Sequence, residues 1–313
     1  MANLGEMIKY MGAAVLLGGL AGCSDVTAES ETEVEVEVES EAETAVEETV
    51  VYDTVAPHIT QWMQQPAILV FSKTNGWRHN EGIAGADKFF VELSRERGYG
   101  IFTTVNAAVF NPDDLARFEV IVFNNATGDT LSPDQEKAFQ DWLEAGGSWI
   151  GLHGSGDNTH ADWPWYAGKL IGPTFTGHPL TPHFHIIRVE TLEAEHPIMA
   201  GVEEVWRHDD EWYFFDSHPV DYGLLPLAGI HETDFNPEGA DIRNLENWAM
   251  GDTPADHPVI WVGCPGDGRS FYSALGHSDL AYDSETYRQI LNNAFDWVLK
   301  TSDPEGATCP ASE

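Results

Sequence analysis

Hydrophobic residues follow two rhythms along this chain. Residues 67–71, 119–124 and 148–152 (AILVF, EVIVFN and SWIGL) are short and almost wholly apolar. Runs of that length without polar alternation are the pattern of strands covered on both faces. Between them the apolar positions recur at helical spacing. Residues 83–97 place Phe89, Phe90 and Leu93 together, and Gly98 stands where a left-handed C-terminal cap is expected. Ser132-Pro133-Asp134-Gln135 opens a second helix, with serine as N-cap and proline at the first helical position. Gly146-Gly147 ends it. Strands alternating with helices predict an α/β domain built on a parallel sheet with helices on both faces.

Beyond residue 153 the rhythm changes. Long loops rich in Pro, Gly and His surround strand-like segments at 224–228, 259–262 and 270–273. A final helix, 286–300, has Ile290, Leu291, Ala294, Trp297 and Val298 as its packing face. No repeat or second boundary interrupts residues 66–301, which are read as one domain, with 302–313 as a flexible tail.

The N-terminus follows a different logic. Lys9 precedes an apolar run from residue 11 to 20, too short to cross a bilayer as a helix, which takes about 20 apolar residues. Leu20-Ala21-Gly22-Cys23 then looks like a bacterial lipobox. Residues 1–22 are therefore read as a lipoprotein signal peptide, and Cys23 as the lipidated residue. Ser24 lacks the aspartate associated with inner-membrane retention, so the expected location is the cell envelope, on the outer membrane. Residues 24–65 contain twelve acids and neither Lys nor Arg. Uncompensated like charge opposes packing, so 23–65 is read as a disordered acidic tether.

Acids still outnumber bases beyond residue 66, and the whole chain carries a formal charge of −37. Such a field argues against nucleic acid, which needs clustered Lys and Arg. After Cys23 only Cys264 and Cys309 remain; they could be free or bridged in an oxidising compartment.

Twelve of the thirteen histidines lie beyond residue 66. In a doubly wound sheet the ligand crevice lies at the C-terminal ends of the strands. Three segments map there: Asn75-Gly76-Trp77-Arg78-His79, the stretch from Asn124 to Thr127, and Gly151-Leu152-His153-Gly154-Ser155-Gly156. The last has the layout of a nucleophile elbow, with small residues around one projecting side chain. Here that side chain is an imidazole.

Six ordered motifs together resemble the ThuA-like (trehalose utilisation) family: residues 73–79, the His153 elbow, Thr176-Gly177-His178-Pro179, Glu195-His196-Pro197-Ile198, Asp209-Asp210-Glu211-Trp212-Tyr213, and residues 269–277 ending in His277. The resemblance implies a flavodoxin-like, doubly wound, mostly parallel sheet of the class I glutamine amidotransferase type. It also implies a link to disaccharide or ketosugar utilisation. The wider superfamily carries cysteine at the elbow; His153 stands there in this chain, so glutaminase chemistry is not expected.

His153, His178, His277, Asp210 and Glu211 are the expected catalytic groups. Trp77, Arg78, His79, Asn124 and Trp212 are expected to bind a carbohydrate substrate. His153, His178 and His277, with a carboxylate, could also serve as ligands of a divalent metal such as zinc, or as a hydrogen-bonded network without metal. The leading expectation is a lipid-anchored enzyme using His-based acid/base or metal-assisted chemistry. The alternative is a non-catalytic carbohydrate-binding lipoprotein. Glu195-His196-Pro197 is read as a turn.

Overall fold

The computed structural model describes residues 50–235 and 250–310. The signal-like segment, Cys23 and most of the acidic run lie outside the described residues.

The apolar runs form the centre of one nine-stranded sheet. Its order is β2 (Gly100–Thr104), β1 (Ala67–Phe71), β3 (Val120–Asn124), β4 (Ser148–Leu152), β11 (Arg269–Ser273), β10 (Pro258–Gly263), β9 (Leu225–Ile230), β6 (His185–Thr191) and β7 (Val205–Asp210). Strands β2, β1, β3, β4 and β11 pair in parallel, whereas β10, β9, β6 and β7 extend the sheet by antiparallel pairing. Every residue of β1, β3, β4 and β11 is buried, as full coverage of both faces requires. A small ribbon, β5 (Phe175–Gly177) with β8 (Phe214–Phe215), stands apart from the main sheet.

Helices cover both faces. On one side α1 (Asn80–Arg97) and the last helix, α5 (Glu285–Val298), lie together, joined by Arg97–Asp296 at 3.0 Å and Arg288–Glu92 at 2.9 Å. On the other side α3 (Pro133–Glu144) stacks Phe139 on Phe123 of β3. The short helices α2 (Pro112–Leu115) and α4 (Pro164–Tyr166) fill connections. The expected caps are present: Gly98 is left-handed at φ 74° and donates to Ser94 O, and Ser132 with Gln135 forms a capping box.

Both ends of the domain differ from the sequence expectation. Residues 50–65, assigned to the tether, lie against the domain. Tyr52 donates to Asp129 at 2.6 Å, Asp53 pairs with Lys73 at 2.8 Å, and Arg117 donates to Ile59 O and Thr60 O. Grouping them with the acid-rich run hid an attachment made through these polar contacts and through buried Ile59. At the other end Cys264 and Cys309 form a disulfide, and Asp303 accepts from the backbone of Ala307 and Thr308. Arg269 donates to Asp303 O, so this segment is held in place rather than loose.

The loop after β11 crosses the antiparallel half. Four strand spacings separate β11 from β7, roughly 19 Å in a flat sheet. Yet Asp210, at the end of β7, accepts from Gly276 N at 2.7 Å and His277 N at 3.1 Å, just beyond β11. The loop that follows β11 therefore runs along the C-terminal edge of the sheet to the end of β7.

Candidate functional site

That edge is where the histidines meet. His153 follows β4 directly, and its backbone is left-handed, at φ 41°. This is an uncommon conformation for a residue with a side chain, and it marks a site held by its surroundings. The turn is tied down by Gly154 N to Asn125 Oδ1 (3.2 Å), Ser155 Oγ to Phe123 O (2.8 Å) and Tyr272 Oη to His153 O (2.9 Å). Small residues are required around it: a Cβ on Gly154 would lie 2.8 Å from His79 Nδ1, and one on Gly156 would lie 2.2 Å from the Tyr272 ring.

Glu211, the residue after β7, is the hub. Its Oε2 lies 3.1 Å from both His153 Nε2 and His277 Nδ1. Its Oε1 lies 3.0 Å from His178 Nδ1 and contacts His183 Nε2. His153 Nε2 and His277 Nδ1 are themselves 3.1 Å apart. The His79 ring sits 4.8 Å from that of His153 and 4.9 Å from that of His277, centroid to centroid. Tyr213 covers His153 at 4.2 Å. One carboxylate thus carries four imidazoles, with a fifth beside them.

Exposure is graded. His153 and Glu211 are 0 and 2 % exposed, His277 15 %, His178 25 % and His183 37 %. The open side is therefore lined by His277, His178 and His183, with His153 at the floor.

Charge follows this packing. Burial alone would push the Glu211 carboxyl upward, but the hydrogen bonds and charges of His153 and His277 outweigh it and hold it well below the carboxylate range. Burial likewise disfavours a charged His153; the Glu211 carboxylate overrides this and leaves it above the usual imidazole value. His79 is pushed down to about 2 by burial and by its neighbours His153 and His277, so it is neutral. Burial also lowers His178.

The structure brings together His79, His153, His178, His277 and Glu211, all singled out in the sequence. It sends others elsewhere. Asp210 is fully buried and holds the backbone of Gly276 and His277, so it positions rather than reacts. Trp212 is buried with its indole N–H on His185 O, and Asn124 is buried with its amide on Ile83 O and Asp87. Neither can line a sugar pocket as expected; both serve packing. Arg78 is exposed and caps Ser72 O and Thr74 Oγ1, and Trp77 is 74 % exposed on the same loop as His79. His196 accepts from Ile198 N in a short turn, matching its structural reading.

Sequence reasoning left out His183 and the aromatic Phe184, whose ring lies 5.2 Å from His277. The alternation His183-Phe184-His185 was their signal. It resolves into one imidazole on Glu211 and another turned inward onto Pro182 O.

The geometry has relatives. A family profile described as trehalose utilisation, ThuA, matches residues 67–298. The fold is similar to a ThuA-like protein from Bacteroides uniformis, with a TM-score of 0.63 at 20 % identity over 80 % of this chain and 98 % of that one. It is also similar to a ThuA-like protein from Parabacteroides merdae, with a TM-score of 0.55 at 14 % identity over 80 % and 93 %. No curated protein matches the sequence. With the profile spanning most of the chain, the protein belongs to the ThuA trehalose-utilisation family.

Proposed function

We propose that this protein is an enzyme of carbohydrate utilisation, held in the cell envelope by a lipid on Cys23, with the Glu211 cluster as its reactive centre. The observation that carries the reading is four imidazoles gathered on one buried carboxylate at the C-terminal edge of the sheet. A polyol binder needs amides and aromatic faces; this density of titratable groups is the signature of proton transfer.

In this reading a disaccharide, ketosugar or glycoside enters past His277, His178 and His183. The partly exposed Phe184 ring offers a face for sugar C–H groups. His153, fixed by Ala274 O at 2.7 Å on one nitrogen and facing Glu211 with the other, exchanges a proton with the substrate or with water. Beside a carbonyl such a base supports isomerisation or elimination, and beside water it supports hydrolysis. With imidazole at the elbow, a thioester route is closed. The Cys264–Cys309 bridge supports an oxidising compartment, in keeping with export. Among the described residues no helix is long and apolar enough to cross a membrane.

The test is proton NMR of disaccharides, their keto derivatives and glycosides incubated with the protein. Turnover should appear with the native chain and fall by at least ~100-fold in His153→Ala, the usual worth of a general acid/base. Saturable binding with the sugar unchanged would instead establish the non-catalytic lipoprotein. For the anchor, Cys23→Ser should move the protein from the detergent phase to the aqueous phase.

A further inference from the structure

The three atoms at the heart of the cluster form a nearly equilateral triangle: His153 Nε2, His277 Nδ1 and Glu211 Oε2 are each 3.1 Å from the other two. Hydrogen bonds alone explain this poorly. His153 Nδ1 is 2.7 Å from the Ala274 carbonyl and can only donate to it, so the neutral ring presents a lone pair at Nε2. That lone pair faces a carboxylate oxygen and a second imidazole nitrogen. Protons on His153 and His277 donated to Glu211 relieve two edges of the triangle and leave two N–H groups facing each other on the third. A single cation at its centre relieves all three.

We propose that His153, His277 and Glu211, with His79 as fourth donor, form a binding site for one divalent transition-metal ion. Ligands about 2.05 Å from a tetrahedral ion stand roughly 3.3 Å apart, close to the edges observed. One nitrogen of His79 lies within 4.8 Å of the other three donor atoms. His79 is 6 % exposed, and its buried Nδ1 has no hydrogen-bond partner, a second sign that its ring serves something other than the protein's own network.

The surroundings are those of a metal site. The Ala274 carbonyl fixes the His153 tautomer in the way metal-bound histidines are commonly held. Asp210 places the loop that carries His277 by accepting from its backbone N–H at 3.1 Å and from that of Gly276 at 2.7 Å. Three imidazoles and one carboxylate favour ions such as Zn²⁺ over Mg²⁺ or Ca²⁺, which take oxygen ligands. His178 is excluded from the set: the nitrogen it turns toward Glu211 is the one that lies 3.1 Å from Pro179 O. His178 and His183 remain on the other carboxylate oxygen, toward the opening.

This site deepens the functional reading of the same cleft, with one change: when an ion is bound, His153 Nε2 is a ligand rather than the proton-exchanging group; the site itself rests on coordination geometry alone. The experiment uses the chelator-stripped protein titrated with Zn²⁺, and separately with Co²⁺ for its visible d–d absorption. One equivalent should bind, with Mg²⁺ failing to compete. His277→Ala, on a partly exposed loop, should weaken binding by at least ~100-fold, and His79→Ala should weaken it too. His183→Ala should retain the ion. Circular dichroism of each variant separates lost ligands from lost fold. No binding to the native protein, or an ion retained unchanged in His277→Ala, would overturn the site. An ion bound without sugar turnover would sink the enzymatic reading and leave the site standing. Turnover by metal-free protein would do the reverse to a catalytic role for the ion.

Discussion

Reducing the Cys264–Cys309 bridge should cost the domain a large share of its stability while leaving the native cleft in place. The two residues are 45 apart in sequence and 5.8 Å apart at Cα. In the chain-entropy treatment, opening a loop of that length frees about 13 cal/mol/K in the unfolded state, or ~4 kcal/mol at 25 °C. The loop contains β11 and α5, so the restraint acts on the strand that joins the two halves of the sheet. For a domain of this size each kcal/mol moves Tm by roughly 2–4 °C, so full reduction predicts a fall of about 8–16 °C. Differential scanning calorimetry with and without a phosphine reductant measures this, and Cys264→Ser with Cys309→Ser serves as a permanent equivalent. Thiol titration must show two new thiols in the reduced sample. A Tm shift below ~3 °C with both thiols free would refute the entropic argument. So would loss of Zn²⁺ binding at 25 °C, because the bridge lies outside the donor set.

Glu136 is pushed up to about 7 by burial and by the nearby charges of Asp129 and Asp162. A carboxyl raised on folding stabilises the folded state below its unfolded pKa, and that contribution is lost as pH rises from about 4.5 to 7. Glu136→Gln should therefore raise stability at pH 8 by ~1 kcal/mol after discounting for its partial exposure, read as a higher Tm, and have little effect at pH 4; an equal effect at both would contradict the assignment. Gly154→Ala puts a Cβ 2.8 Å from His79 Nδ1. It should weaken Zn²⁺ binding by 10–100-fold, read by competition with a chromogenic chelator, with the far-ultraviolet spectrum unchanged. Asp210→Asn replaces two acceptor oxygens that serve Glu211 N, Gly276 N and His277 N with one. Urea unfolding should report a loss of about 2–4 kcal/mol, and a loss under 1 would deny Asp210 its positioning role.

How far the sequence reveals this depends on the environment of each segment. Strands β1, β3 and β4 are legible because burial on both faces leaves them polar residues only at their ends, Asn124 and Ser148. Strand β7 is not, because the residues it buries are Trp206, His208 and Asp210 while Val205 and Asp209 face solvent. Its alternation is real, but its inner face is polar, so hydrophobicity misses it. The elbow at His153 is visible as spacing, and its positive φ follows from the same crowding that demands glycines beside it. The role of Glu211 as hub is not visible. It depends on the end of β7 meeting the loops after β4 and β11, a long-range event with no local signature. Asp210, Glu211 and Trp212 are adjacent in sequence and were read as one functional patch. The end of the strand sends them in three directions: to the loop carrying His277, to the histidines, and into the core.

Strand β11 has a consequence for when this protein can become itself. It is the last strand to be made, and it lies between β4 and β10 in the middle of the sheet. Before residues 269–273 leave the ribosome, the parallel and antiparallel halves have no shared partner, and the inner edges of β4 and β10 stay open. His79 and His153 belong to one side of that seam and Glu211 to the other, so they cannot meet any earlier. A chain stopped short of β11 would have no partial cleft and two exposed edges prone to aggregation. Completion of the sheet is thereby postponed until almost the whole polypeptide exists.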